Sequence, residues 1–262
     1  MTGRTFLKQV AFVRRRPGMT TAEYFDYHYK THGRLSVAPT PGHTPTIYTQ
    51  THFFDSAYSS PTPAQPWYSG HNGVTELYFD DLAHVANTFS SDHVRTVVGP
   101  DGANFSDSGA SICMFSREEV ISGTVAPGEE GVVAKYALQG RGDIEDDTEL
   151  GEKLKEHVVA AFGDCSVAIA VDVRVKDELG ILGYFGSKDA PAMSLVYTAY
   201  LKDKARSIPA FREALKRFEE NADGLINKQA SFVCFGKRGV VFDSTEGNEF
   251  DPSHQPDLSR IY

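Results

Sequence analysis

Apolar and polar residues alternate in eight short segments of the chain, and four longer segments repeat apolar residues at helical spacing. Residues 166–175 show the strand pattern most clearly, because Val or Ile stands at every odd position from 167 to 175. The predicted strands are residues 5–13, 47–54, 73–79, 111–115, 132–138, 166–175, 194–201 and 230–235. The predicted helices begin at Thr20, at Asp80 or Asp81, at Thr148 and at Ser207.

The order strand, helix, strand, strand, helix, strand therefore occurs twice. This order predicts an α+β protein made of two tandem ferredoxin-like βαββαβ units, at residues 1–122 and 128–242. Residues 243–262 form a predicted tail. Each predicted sheet has helices on one face only, so we expect the two open faces to pack on each other as one intramolecular α+β barrel.

The opening helix has an unusual inner face. Thr20 and Glu23 form a capping box at its start. Gly33 is interpreted as a left-handed stop at its end. An ordinary core helix buries Leu, Ile or Val, whereas this one brings hydroxyl and imidazole groups together, so we expect it to wall a pocket. The residues sharing this face are Tyr24, Tyr27, His28 and Thr31, with His32 one turn beyond His28.

Composition and charge restrict the class of protein. A formal charge of −9 over 262 residues argues against nucleic acid or an anionic membrane as the main partner. No apolar run approaches the ~20 residues that cross a bilayer. The three cysteines have no metal-ligand spacing, and we interpret them as reduced core residues. We expect a cytoplasmic protein whose partner is a small molecule.

Six short segments of the first half form a recognisable set: residues 14–20 (RRRPGMT), Tyr27-His28, His32-Gly33, residues 48–52 (YTQTH), residues 72–79 (NGVTELYF) and Asn104-Phe105. On these segments the first half resembles an EthD-type domain of the dimeric α+β barrel superfamily. Members of this family are usually single domains that dimerise, so here the second half is expected to supply the partner. The second half lacks the arginine-rich turn and the His-Gly ending, which predicts one working site and one supporting unit, in a monomer with an internal pseudo-dimer or in a homodimer.

The resemblance also implies a range of functions. Relatives act in polyketide and degradative pathways as dehydratases, decarboxylases, cyclases, isomerases and cofactor-free monooxygenases. In several of them the ligand lies between the helices and the sheet of one unit, where His28 and His32 would point. Members commonly carry Trp or Tyr at the position of His28, so this chain adds an imidazole to the expected site.

We therefore predict a cofactor-independent enzyme, a lyase or a cyclase or isomerase of secondary or degradative metabolism, acting on a small hydrophobic polyketide-like substrate. Imidazoles suit this acid–base chemistry because their unperturbed pKa lies near 6.5. Residues 55–70 are a predicted lid. The candidate catalytic residues are His32, His28 and His52. The candidate substrate-binding residues are Tyr24, Tyr27, Tyr48, Gln50 and Trp67.

Several alternatives remain open. The same fold supports a cofactor-free monooxygenase or a non-catalytic binding protein. His28 and His32 also have the i, i+4 spacing of metal ligands, with His52 or Glu76 as a third ligand, although no metal is predicted. Asp101 and Asn104 are interpreted as residues that fix the loop before the fourth strand.

Overall fold

The computed structural model describes residues 5–40, 42–61, 70–141, 147–185 and 192–258. Eight antiparallel strands close into a barrel in the order β1-β3-β2-β8-β5-β7-β6-β4. Each half has the ferredoxin-like strand order, and the halves join where β2 pairs with β8 and β4 pairs with β6. The predicted fold class is therefore confirmed. The strands are β1 Leu7–Arg14, β2 Ile47–Tyr58, β3 His71–Phe79, β4 Ile112–Ser122, β5 Gly131–Leu138, β6 Ser166–Val175, β7 Leu195–Leu201 and β8 Phe232–Asp243.

The helices lie outside the barrel. Helix α1 runs without a break through residues 21–35, and α3 runs through residues 94–105. Both contain a widened π-helical turn, at Tyr27–His32 and at Val94–Val98. Within the described residues, no helix is both long and apolar enough to cross a membrane. The other helices are α2 Leu82–Ser90, α4 Asp147–Phe162, the short α5 Leu182–Phe185 and α6 Lys204–Asn221.

The alternation of side chains along each strand separates two cores. One face of β1 directs Val10 and Phe12 into the barrel, where they pack with residues of both halves. The opposite face of each sheet packs on helices. In the second half this layer is solidly apolar, because Leu150, Leu154 and Val158 of α4 are fully buried against the sheet.

The structure corrects three local predictions. Gly33 is not a left-handed stop, because its φ of −56° is helical and α1 continues beyond it. Ser207 does not begin the last helix, which starts at Lys204. The predicted loop at residues 55–70 begins as strand, since β2 extends to Tyr58 and pairs there with Phe232. Residues 62–69, which include Trp67 and half of the predicted lid, lie outside the described residues.

The second half also supports α1 from the outside. The hydroxyl of Tyr29 donates a hydrogen bond of 2.5 Å to the carbonyl oxygen of Val240 in β8. A Cβ atom at Gly33 would lie 3.0 Å from Val241 and 3.4 Å from Phe250. Gly33 is therefore needed for close packing rather than for a special backbone angle.

Candidate active site

A cavity of about 130 Å³ lies between the outer face of the first-half sheet and the helices α1, α2 and α3. Most of its wall is apolar, including Ala11, Leu77, Phe89, Val94, Val98 and Phe105. The polar part of the wall includes Gln9, His28, His32, Tyr48 and Thr75. A wider and more open groove of about 1000 Å³ lies beside it, between Arg34 and Phe250. The enclosed cavity is the better candidate site, because burial of a ligand strengthens each polar contact.

Both π-helical turns contribute to this cavity. The N–H of Gly33 donates to the carbonyl of His28, five residues earlier, and the N–H of Gly99 donates in the same way to Val94. His28 and His32 line the cavity from the first turn, while Val94 and Val98 line it from the second. Single π turns inside α-helices occur frequently at functional sites.

His32 is held by a carboxylate. Its Nδ1 atom lies 2.9 Å from Oδ2 of Asp101 in α3. The other carboxylate oxygen of Asp101 accepts hydrogen bonds from the Tyr27 hydroxyl at 2.7 Å and from Nδ2 of Asn104 at 2.9 Å. Burial alone would raise the pKa of Asp101, but the hydrogen bonds from His32, Tyr27 and Asn104 outweigh it and lower that pKa to about 2. Asp101 is therefore ionised and fixes the Nδ1 side of His32.

Asp101 is the functional candidate that sequence reasoning assigned wrongly. It lies on a helix rather than in a loop, and its carboxylate serves His32 as well as Asn104. Its position in the family-like stretch that ends at Asn104-Phe105 was the available signal. The sequence alone, however, does not show that Asp101 contacts His32, which lies 69 positions earlier.

His28 is buried and neutral. Its Nε2 atom lies 3.1 Å from the Thr75 hydroxyl and 3.4 Å from the Tyr48 hydroxyl. Burial, with smaller effects of His32 and His52, holds the pKa of His28 well below its usual range. The ring of His28 stacks on Phe105 with ring centres 4.7 Å apart. This histidine is therefore a fixed hydrogen-bonding group rather than a group that titrates near neutral pH.

His52 lies behind the cavity wall. Its ring stacks on Phe25 with centres 4.2 Å apart, and its Nε2 atom lies 3.1 Å from Oε1 of Gln50. Burial lowers the pKa of His52 to about 3. Gln50 connects this region to the cavity, because its Nε2 atom donates to the Tyr48 hydroxyl at 2.6 Å and to the carbonyl of His28 at 2.9 Å. The structure thus brings His28 and His32 to the cavity, but it does not bring His52 there.

The predicted substrate-binding residues divide in the same way. Tyr48 lines the cavity. Tyr24 packs beside His28 with ring centres 5.2 Å apart, and Tyr27 supports Asp101. Gln50 lies behind Tyr48, so these three residues support the wall rather than line it. Trp67 lies outside the described residues.

The alternative metal site loses its proposed third ligands. His52 is engaged with Gln50, and Glu76 lies on the opposite face of the sheet, inside the barrel. There the Glu76 carboxylate contacts the ammonium groups of Lys8 and Lys135. Neither side chain is placed to complete a metal site with His28 and His32.

Comparisons with known proteins agree with the fold. Residues 16–109, which lie in the first half of the chain, match the family model of the EthD domain. No curated protein sequence matches the chain.

Solved structures extend the likeness to both halves. An anthrone oxidase-like protein is similar with a TM-score of 0.57 and 10% identity, over 93% of this chain and 96% of that one. A candidate monooxygenase from Fusobacterium nucleatum subsp. nucleatum has a TM-score of 0.51 and 9% identity, over 90% and 94% of the two chains. A candidate chlorite dismutase has a TM-score of 0.50 and 11% identity, over 89% and 94%. At these identities the likeness establishes the α+β barrel fold alone.

Proposed function

We propose that this protein is an enzyme that moves protons to and from a small, largely apolar, oxygen-bearing molecule held in the cavity. The observation that carries this proposal is the pair formed by His32 and Asp101 at the cavity wall. A carboxylate bound to one imidazole nitrogen orients the ring and stabilises its protonated form. The other nitrogen, Nε2 of His32, is then the atom that takes a proton from the bound molecule.

The neighbouring polar groups suit the oxygen of such a molecule. Tyr48 accepts a hydrogen bond from Gln50, and its hydroxyl oxygen lies 3.4 Å from Nε2 of His28. The oxygen of a bound molecule would compete with His28 for the hydroxyl hydrogen of Tyr48. His28 stays neutral and lies with its ring centre 5.8 Å from that of His32. In the proposed reaction His32 removes a proton from a carbon next to a carbonyl, and the C–H electrons move into the enolate. Tyr48 and His28 stabilise the enolate oxygen by hydrogen bonds.

Cavity size indicates the scale of the ligand. The volume of about 130 Å³ is close to the ~150 Å³ of an engineered protein cavity that holds benzene. A molecule of about one aromatic ring, such as a small cyclic ketone or a polyketide-like fragment, fits this space. In a dehydration, the imidazolium of His32 would return its proton to the departing hydroxyl, so no cofactor is required and the proton balance closes. We therefore favour a dehydratase, which is one kind of lyase, or a cyclase over a decarboxylase, whose first step releases CO₂ rather than a proton from carbon.

Oxygenation is the second candidate, and the likeness in fold to an anthrone oxidase-like protein favours it. The enolate formed by His32 would react with molecular oxygen, which would be the electron acceptor. The first step is the same in both reactions. They differ in whether dissolved oxygen is consumed.

The test follows proton removal directly. One-ring and two-ring cyclic 1,3-dicarbonyl compounds and phenolic ketones are incubated with the protein in D₂O, and mass spectrometry measures deuterium uptake while an electrode records oxygen. We expect His32→Gln to lower the exchange rate by on the order of 10²–10⁴. The exposed His254 provides the control, His254→Gln, which should keep the full rate.

Other outcomes decide against the proposal. Compounds that raise the melting temperature without exchange or turnover would indicate a binding protein. Full exchange in His32→Gln would remove this residue from the chemistry. Loss of turnover on exhaustive chelation, with recovery on adding zinc or iron, would replace proton transfer with metal ligation.

A further inference from the structure

One end of the barrel interior contains a cluster of six charged side chains, which we call the ionic core. All except Glu118, which is 14% exposed, are almost completely buried. Much of the remaining interior is apolar, as at Val10 and Phe12. Burying six charges is costly, so their arrangement must satisfy each one. The members of the ionic core are Lys8, Glu76, Glu118, Lys135, Asp172 and Arg238.

Glu76 is the centre of the ionic core. Its carboxylate lies 2.6 Å from Nζ of Lys8, 2.7 Å from Nζ of Lys135 and 3.0 Å from Nε of Arg238. The ammonium of Lys8 also contacts Glu118, and it lies 2.9 Å from Asp172. Burial alone would lower the pKa of Lys8, but the three carboxylates hold it well above its ordinary value. Burial prevails at two further members, because it lowers the pKa of Lys135 to about 8 and raises that of Asp172. The six formal charges, three positive and three negative, sum to zero.

The two halves contribute unequal charge to this cluster. The first half supplies Lys8, Glu76 and Glu118, a sum of −1. The second half supplies Lys135, Asp172 and Arg238, a sum of +1. Only the pairing of the two different halves gives a neutral interior. Three of the ion pairs cross between the halves: Lys8–Asp172, Glu76–Lys135 and Glu76–Arg238.

We infer that the ionic core selects the partner of each inner sheet face, so that the first half fits the second half of this chain and rejects a second copy of itself. A barrel closed by two first halves would bury a net charge of about −2, and one closed by two second halves about +2, and an unpaired buried ion strongly destabilises the barrel that contains it. The EthD-containing half is thus built for a mixed barrel rather than a symmetric one. This inference does not depend on the proposed reaction.

The test uses one substitution in each half, so that each half contributes no net charge to the ionic core. Glu118→Gln leaves Lys8 and Glu76 in the first half, and Arg238→Gln leaves Lys135 and Asp172 in the second. The double variant keeps the total charge of the ionic core at zero, but it removes the penalty against pairing like with like. The matched control changes neighbouring residues on the same two strands whose side chains reach solvent, Glu119→Gln and Lys237→Gln. Glu119 pairs with Lys155 of the second half at the surface, so the control also tests an exposed ion pair between the halves.

Pairing is then measured on a cleavable full chain. A protease site is inserted between Ala126 and Pro127, which are exposed in the connection between the halves. The folded protein is cleaved, unfolded in denaturant and refolded, and native mass spectrometry identifies the pairs by mass. We expect only mixed pairs in the wild type and in the control. The double variant should shift toward the statistical mixture, in which about half of the pairs are mixed.

Two results would overturn the inference. Like pairs in the wild type would show that the halves are not selective. Exclusively mixed pairs in the double variant would show that the shapes of the halves and the C-terminal segment, rather than the ionic core, determine the partner. If the cleaved chain does not refold, the intact proteins are refolded at high concentration, and light scattering should find a dimer in the double variant alone. Equal amounts of dimer in all three proteins, or none in any, would contradict the inference.

Discussion

Oδ2 of Asp101 lies 2.9 Å from Nδ1 of His32, so a carboxylate on α3 fixes an imidazole of α1 at the cavity wall. The two residues are 69 positions apart in the sequence. Tyr27 and Asn104 complete the hydrogen bonds of Asp101, which leaves this carboxylate well defined at the wall of an otherwise apolar site. A carboxylate fixed in this way can control the activity of its imidazole.

The first prediction concerns this pair. Replacing Asp101 with Asn should lower kcat by on the order of 10²–10⁴, because the amide neither stabilises the imidazolium nor enforces the same tautomer. The D₂O exchange rate at saturating substrate measures this loss.

The matched variant for the first prediction is Asn104→Ala. It removes one hydrogen bond to Asp101 but keeps the carboxylate. We expect a loss of about 2–10-fold in kcat, the value of one hydrogen bond of ~0.5–1.5 kcal/mol. A loss in Asp101→Asn no larger than that in Asn104→Ala would show that the carboxylate has only a structural role.

The second prediction concerns Gln50. Its side chain bonds the Tyr48 hydroxyl, the His28 carbonyl and the His52 ring, and it is fully buried. Replacement by Leu should lower the free energy of unfolding by about 2–4 kcal/mol, because buried polar partners lose their hydrogen bonds. Urea unfolding measures this loss.

The variant Gln50→Glu separates stability from positioning. It keeps an acceptor for His52 but loses the donor to Tyr48. Its kcat should fall while KM changes little. A Gln50→Leu protein as stable as the wild type would contradict the structural assignment.

The third prediction is that Gly33→Ala destabilises the protein, although the same substitution usually stabilises a helix. In an unhindered helix, Gly→Ala stabilises by roughly 0.5–1 kcal/mol. Here the new methyl group would lie 3.0 Å from Val241, so Gly33→Ala should destabilise the protein by about 1 kcal/mol. In a Val241→Ala background the same substitution should become stabilising. Thermal unfolding of the four proteins forms a double-mutant cycle, and additive effects would exclude this contact as the cause.

The fourth prediction concerns acid. Burial lowers the pKa of His52 to about 3 and that of His71 to about 4, whereas an unfolded histidine titrates near ~6.5. Below pH ~6.5 the unfolded chain therefore binds more protons than the folded one. The stability contributed by these neutral rings is present above that pH and is lost as the pH falls toward 4, by about 1.4 kcal/mol per pH unit for each ring.

Urea unfolding between pH 7.5 and pH 4.5 tests this dependence. The slope of the free energy of unfolding against pH should be smaller in His52→Gln by the contribution of about one proton. The exposed control, His254→Gln, should keep the slope of the wild type. Equal slopes for the wild type and His52→Gln would show that this ring is not a source of acid sensitivity.

The sequence predicts the fold well because strand alternation is a local property. Residues 166–175 show this pattern unaided, and they form β6 with the same bounds. Features that depend on distant partners are harder to predict. Lys8 interrupts an apolar strand in the sequence. The pairing of β1 with β3 brings it to Glu76, and closure of the barrel brings it to Asp172.

In the candidate site too, local features could be predicted from the sequence, whereas features that depend on distant partners could not. His28 and His32 could be recognised, because their spacing on one helix is local. His52 was wrongly grouped with them, since its strand face was predicted correctly but its depth behind Gln50 was not. The π turns and the position of Asp101 on α3 arise from contacts between α1, α3 and the sheet, which one sequence does not reveal.

The support of α1 by β8 and Phe250 gives this protein a freedom that a symmetric dimer lacks. In a homodimer every substitution is made twice, so a change that improves one site is also imposed on its twin. Here Val241 and Phe250 occur once in each barrel, and both lie beside Gly33 of α1. Evolution, or a directed library over residues 240–250, can adjust the tilt of His28 and His32 while leaving every cavity-lining side chain in its native identity.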